Sequence, residues 1–144
     1  MHNIQERLSL LWLFALLNYL YADVIAIWDM IGTDFHVRLP PGALMASAIL
    51  MEIPIAMIVA CRILPMKANR LANIIFGVIV TAINGFLTYV PPLVGWGPTP
   101  ALPEYLFFAT IETICTLIIV REAWKWGQDA AKPAPRSLAA SALS

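Results

Sequence analysis

Three carboxylic acids stand in stretches that are otherwise apolar: Asp23, Glu52 and Glu112. Glu52 is the sharpest case, set in Leu50-Met51-Glu52-Ile53-Pro54-Ile55. An ionised carboxylate held at the centre of a bilayer costs about 3 kcal/mol or more, so an acid there marks a functional site by default. Such a group can hold a proton, attract a cation or an amine, or hydrogen-bond a neighbouring helix. Pro54 sharpens the point, because a proline cannot donate to the carbonyl of Leu50 and so leaves an acceptor free, and a kink is expected, beside the acid. Thr81, Asn84 and Tyr19 are the polar side chains expected to complete a ligand-binding site with the three acids.

Several sharper chemistries lack their residues. The only histidines are His2 and His36, so no paired-histidine metal or haem spacing and no Ser-His-Asp set can be built in the helices. Cys61 and Cys115 lie far apart in apolar runs and read as buried free thiols rather than a redox pair. No glycine-rich phosphate loop is present. No cofactor and no metal are expected, and the balance leans away from an enzyme. Nine basic and nine acidic residues cancel, so overall charge offers nothing to nucleic acid.

The elements that must position these groups are apolar spans. The chain is 60% hydrophobic and only 12% charged, against about 25% charged in ordinary soluble domains. Too few charges exist to coat a soluble protein. Four apolar runs, about 8–31, 42–64, 71–90 and 103–124, each approach the ~20 residues that cross a bilayer as a helix. The fold expected is all-α, an integral membrane four-helix bundle occupying 1–127. The runs are separated by a polar loop before Pro41, a short turn over 65–70, and a segment from Pro91-Pro92 to Pro103 whose prolines and glycines exclude helix. Residues 128–144, rich in Ala, Pro and Ser, read as a poorly ordered cytoplasmic tail.

Lysine and arginine set the orientation. With four spans, one side holds Arg7, Arg62, Lys67, Arg70, Arg121, Lys125, Lys132 and Arg136, and the other holds Arg38. This asymmetry places both termini in the cytoplasm and the protein in the inner, cytoplasmic membrane. Trp12, Trp28, Trp96, Trp124 and Trp126 fall near run ends or in loops, as interface anchors should. Asp29, Asp34 and His36 lie near or beyond the outer boundary and read as solvated.

Counted from the outer ends at helical rise, Asp23 lies about 12 Å deep, Glu52 about 15 Å, Glu112 about 13 Å, and Thr81 and Asn84 about 14 and 9 Å. Every span thus contributes to one polar layer. On the third span Asn73, Gly77, Thr81, Asn84, Gly85 and Thr88 share a small, polar face. On the first, Trp12, Tyr19 and Asp23 share a face while Asn18 points elsewhere. On the fourth, Phe108, Cys115 and Thr116 flank Glu112. No lysine or arginine reaches the layer; Arg62 and Arg121 lie lower and can snorkel. Three uncompensated acids at one depth call for a proton on at least one of them, or for a bound cation.

Arg7-Leu8-Ser9 leading into Trp12-Leu13-Phe14, then Asn18-Tyr19 and Tyr21-Ala22-Asp23, resembles the opening of a family of short, uncharacterised bacterial four-helix membrane proteins, a domain of unknown function. The resemblance continues through Met51-Glu52-Ile53-Pro54, Arg70-Leu71-Ala72-Asn73 and Glu112, and takes in most of the chain except the tail. It implies a four-helix bundle and supplies no activity. More distantly the layout is similar to DoxX-like four-helix proteins.

The leading expectation is binding or transport of a proton, a cation, or an amphipathic amine or lipid-like ligand at the acidic layer. The alternative is a structural subunit of a larger membrane complex or a homo-oligomer, with the Ala43, Ala46 and Ala56 side of the second span as the docking face. A further alternative is an intramembrane isomerase-like enzyme, in which one acid donates a proton and another stabilises a carbocation. The lipid bilayer is a partner in each case.

Overall fold

The computed structural model describes residues 2–32, 41–94 and 103–131, and all of them but a short turn are helical. Four α-helices follow in order: α1 His2–Gly32, α2 Pro41–Ile63, α3 Met66–Val94 and α4 Pro103–Ala131. The cross-helix contacts give an up-down-up-down arrangement. Gln5 donates to the Leu64 carbonyl and Ser9 to the Ile58 carbonyl, so α1 and α2 are antiparallel. Arg7 pairs with Glu122 and Tyr21 stacks on Phe108, so α1 and α4 are antiparallel as well. Thr81 meets Thr116 and Tyr89 meets Thr110, which sets α3 antiparallel to α4. The helices pack in a ring, with extensive α1–α4, α3–α4 and α1–α2 seams and a sparse α2–α3 seam.

Helix bounds and apolar runs differ in instructive ways. α1 begins at His2 instead of 8, α3 begins at Met66 instead of 71, and α4 runs to Ala131 instead of 124. Hydropathy marks where an apolar run begins, whereas a helix continues as long as its backbone bonds are made. The turn expected over 65–70 is therefore shorter: Pro65 ends α2, and its carbonyl accepts from Asn69 N at 2.9 Å to start α3. Pro91 and Pro92 do not end α3, which continues to Val94. They leave only the carbonyls of Leu87 and Thr88 without their ordinary donors, in the last turns of the helix. Residues 128–131 of the expected tail belong to α4; the rest of the tail, Trp96, Asp34 and His36 lie outside the described residues, as does the side chain of Asp29.

The core lies toward the end where α1 begins and α4 finishes. Leu8, Trp12, Ala15, Met57, Cys61, Val80, Cys115, Ile119 and Trp126 form one buried cluster. Trp12 and Trp126 are thus core residues, contrary to the expectation of interface anchors, while Trp28 and Trp124 are exposed. Trp12 is inside because Asn73 satisfies its indole N–H at 2.8 Å, so burial leaves no donor unpaired. Asn18, expected on another face, is also buried, since α1 is covered by α2 on one side and α4 on the other.

The polarity of the molecule is inverted. Ser9, Asn18, Asn69, Asn73, Asn84, Thr88, Glu112 and Thr116 are buried. The exposed surface carries Phe14, Leu17, Ile27, Ile49, Val59, Leu71, Val78, Phe86 and Leu117 on all sides. Water penalises such a surface and hydrocarbon does not. Among the described residues three helical segments, Ile4–Trp28, Met45–Ile63 and Met66–Val90, are 25, 19 and 25 residues long and apolar enough to cross a membrane; α4, expected as a fourth span, is not one of them.

Candidate functional site

α3 and α4 approach closely because Gly77 has no side chain. A Cβ at Gly77 would lie 2.7 Å from Val120 Cγ2. The close seam lets short polar side chains meet across it. Thr81 Oγ1 lies 2.7 Å from both the Gly77 carbonyl and Thr116 Oγ1, and its single proton serves one of them at a time. Asn84 Nδ2 donates to Thr113 Oγ1 at 3.3 Å and to the Ala109 carbonyl at 3.4 Å. Thr88 Oγ1 donates to Asn84 Oδ1 at 3.2 Å. The small polar face read from the third span is thus the inward face of α3.

Glu112 lies on α4 beside this seam, next to Thr113 and one turn from Thr116. Its side chain is only 2% exposed, and Oε1 has no hydrogen-bond partner among the described residues. Such an atom is costly to bury. The hydroxyl of Tyr19 is the second orphan of this kind. The α1–α4 register, fixed by Arg7 opposite Glu122 and Tyr21 opposite Phe108, brings Tyr19 and Glu112 to within a turn of one another in height.

The other two acids are placed differently. Asp23 is half-buried on α1, one turn beyond Tyr19. Glu52 is exposed, on the open side of α2, while its neighbour Pro54 is buried. Glu52 lines a groove of about 320 Å³ between α2 and α3 with Ile49, Ile53, Ala56, Met57 and Phe76. Among the described residues, Arg7–Glu122 at 3.2 Å is the one ion pair, so none of the three acids is matched by a cation. Nor do three His, Cys, Asp or Glu side chains among them gather closely enough to hold a metal ion. The structure therefore brings Thr81 and Asn84 to the seam beside Glu112, sets Tyr19 at a similar height, and leaves Glu52 in a separate groove.

A second polar network sits nearer the chain termini. Asn73 Oδ1 accepts from Trp12 Nε1, and Asn73 Nδ2 donates to the Asn69 carbonyl at 2.9 Å and to Asn69 Oδ1 at 2.7 Å. Asn69 Nδ2 donates to the Cys61 carbonyl at 2.6 Å. Ser9 Oγ donates to the Ile58 carbonyl at 2.9 Å and accepts from Arg62 Nε at 3.2 Å. Sequence reasoning passed over Ser9 and Asn69; the signal was there in Asn69 and Asn73 at one-turn spacing. This network satisfies its members and reads as fastening. Cys61 and Cys115 are both free and buried, as expected.

A family model described as a family of unknown function (DUF6326) matches residues 1–132. The chain belongs to that family. The matched region takes in all four helices and both polar clusters, so the arrangement belongs to the DUF6326 part of the chain. No curated protein and no solved structure matches the chain significantly.

Proposed function

We propose that this DUF6326 protein spans the bacterial inner membrane four times, with both termini in the cytoplasm, and binds an amphipathic cation in the α2–α3 groove through Glu52. The carrying observation is the groove itself: apolar side chains and one carboxylate, open to the surroundings where α2 and α3 part. Its volume falls at the lower end of the ~300–1,000 Å³ of small-molecule sites. In a bilayer, such a groove accepts an apolar body from the lipid side and offers a single negative charge to an amine. The α1–α2 register set by Ser9 and Ile58, and the α1–α4 register set by Arg7 and Glu122, give Glu52 and Glu112 similar heights. This supports reading Glu112, with Tyr19 and the Thr81–Asn84 seam, as a second and inner station, suited to a proton or a small cation.

The test is thermal stability of the detergent-purified full chain against a panel of amphipathic amines, inorganic cations and neutral apolar analogues. Amines should raise Tm, neutral analogues of the same body should not, and Glu52→Gln should lose the response while folding normally. No shift with any amine, or the same shift in Glu52→Gln, would remove the ligand from this groove.

A structural subunit is the second reading. α2 is the least covered of the three apolar spans, and its exposed Ala46 and Ala56 allow close approach of another helix. The isomerase-like reading has less support, because the groove carries one acid where that chemistry needs two.

A further inference from the structure

A different cavity lies toward the end of the molecule where α3 begins and α4 finishes. It measures about 740 Å³ and is lined by Met66, Lys67, Arg70, Leu71, Ile74, Trp124 and Gly127. Two of the lining side chains are cations and none is an acid. Among the described residues neither Lys67 nor Arg70 makes an ion pair. Arg70 is half-buried, and its Nε is enclosed without a hydrogen-bond partner. The guanidinium lies directly against the backbone of Gly127, where any Cβ would collide with it. Glycine at this point is what lets Arg70 lie against α4 instead of extending into solvent.

We infer that this cavity is a binding site for the phosphate diester of an anionic phospholipid in the cytoplasmic leaflet. A planar guanidinium beside a lysine, with no carboxylate among the lining side chains, is built to grip phosphate oxygens. The apolar part of the lining decides between a lipid and a soluble phosphate. α3 runs away from this end, so Leu71 lies about one turn deeper than Lys67, and Ile74 about one turn deeper than Arg70, in line with an acyl chain descending from its headgroup. Trp124 is exposed and, by the α3–α4 register, level with Ile74, so its indole adds to the apolar wall below the two cations. Basic pockets between helices on the cytoplasmic side bind acidic headgroups on the same physical grounds.

The inference presupposes the membrane reading, and the experiment separates the two. The full chain is first mixed with phosphatidylcholine vesicles and floated; failure to insert would overturn the membrane reading itself. Inserted protein is then titrated in mixed micelles with phosphatidylglycerol, phosphatidylcholine or inorganic phosphate, reading Tm. Phosphatidylglycerol alone should stabilise, with about fivefold loss of affinity on each of Lys67→Gln and Arg70→Gln. Gly127→Leu, which keeps both charges but displaces Arg70, should also lose the effect, while Arg121→Gln, an exposed cation at the same end, should keep it. Brominated phosphatidylglycerol should quench tryptophan fluorescence more than its phosphatidylcholine counterpart, and the difference should vanish in Trp124→Phe. Equal action of the two lipids, full action by inorganic phosphate, or an equal loss in Arg121→Gln would overturn the site. The quenching comparison decides the matter even where the Arg70 or Gly127 variants fail to fold.

Discussion

At the residue scale, buried polar groups divide into those with partners and those without. Asn73 is the hub of the satisfied set, holding Trp12, Cys61 and Asn69 together. Trp12→Phe removes the indole donor while keeping most of the ring; it should cost about 1 kcal/mol, readable in a denaturant titration in micelles. Trp12→Ala should cost about 3–5 kcal/mol, because it also opens a cavity in the core. Glu112 belongs to the other set. Its unpartnered oxygen adds nothing to the packed state, so Glu112→Met should leave stability unchanged or raise it by about 1 kcal/mol. A loss of about 3 kcal/mol or more in the same titration would show that Glu112 fastens the bundle and is no binding station. This contrast was only partly legible beforehand. Hydropathy and depth singled out Asp23, Glu52 and Glu112 alike, and nothing in one dimension separated the enclosed acid from the exposed one.

At the element scale, the seams are unequal. α3 and α4 are drawn together at Gly77, whereas a Cβ at Gly85, two turns further along the same helix, would meet nothing within 4 Å. Gly77→Ala must push Val120 aside and should destabilise by about 1–3 kcal/mol. Gly85→Ala should be neutral or stabilising by up to about 1 kcal/mol, since the helix gains propensity at no steric cost. Denaturation of the two variants side by side checks the direction of each. Both glycines sat on the predicted small polar face, and their spacing was visible in the sequence. Which of them carries the close approach depends on where α4 crosses, and that is set by residues more than thirty positions away. The sparse α2–α3 seam is of the same kind: no local feature of either helix announces that they part and leave the groove beside Glu52.

At the scale of the whole molecule, the proposed orientation rests on the distribution of basic residues along the sequence. A cysteine introduced as Thr33→Cys should react with a membrane-impermeant maleimide in intact cells, whereas Ser144→Cys should react only after permeabilisation. Cys61 and Cys115 are buried, so the parent chain should give no background signal. Equal reaction at both positions in intact cells would break the assignment of both termini to the cytoplasm. The sequence by itself determined that the chain is helical, how many apolar runs it has, where most of them lie, and which face of α3 is polar. Those properties rest on composition and on the 3.6-residue period, which any single helix displays. Only the tertiary structure decided that Glu112 is enclosed and Glu52 open, that Trp12 is core rather than anchor, and that Arg70 lies against Gly127. In a soluble protein the apolar face of a helix points to its neighbours. Where the surrounding solvent is as apolar as the core, an apolar residue is equally at home facing either way, so periodicity alone cannot say which face meets another helix.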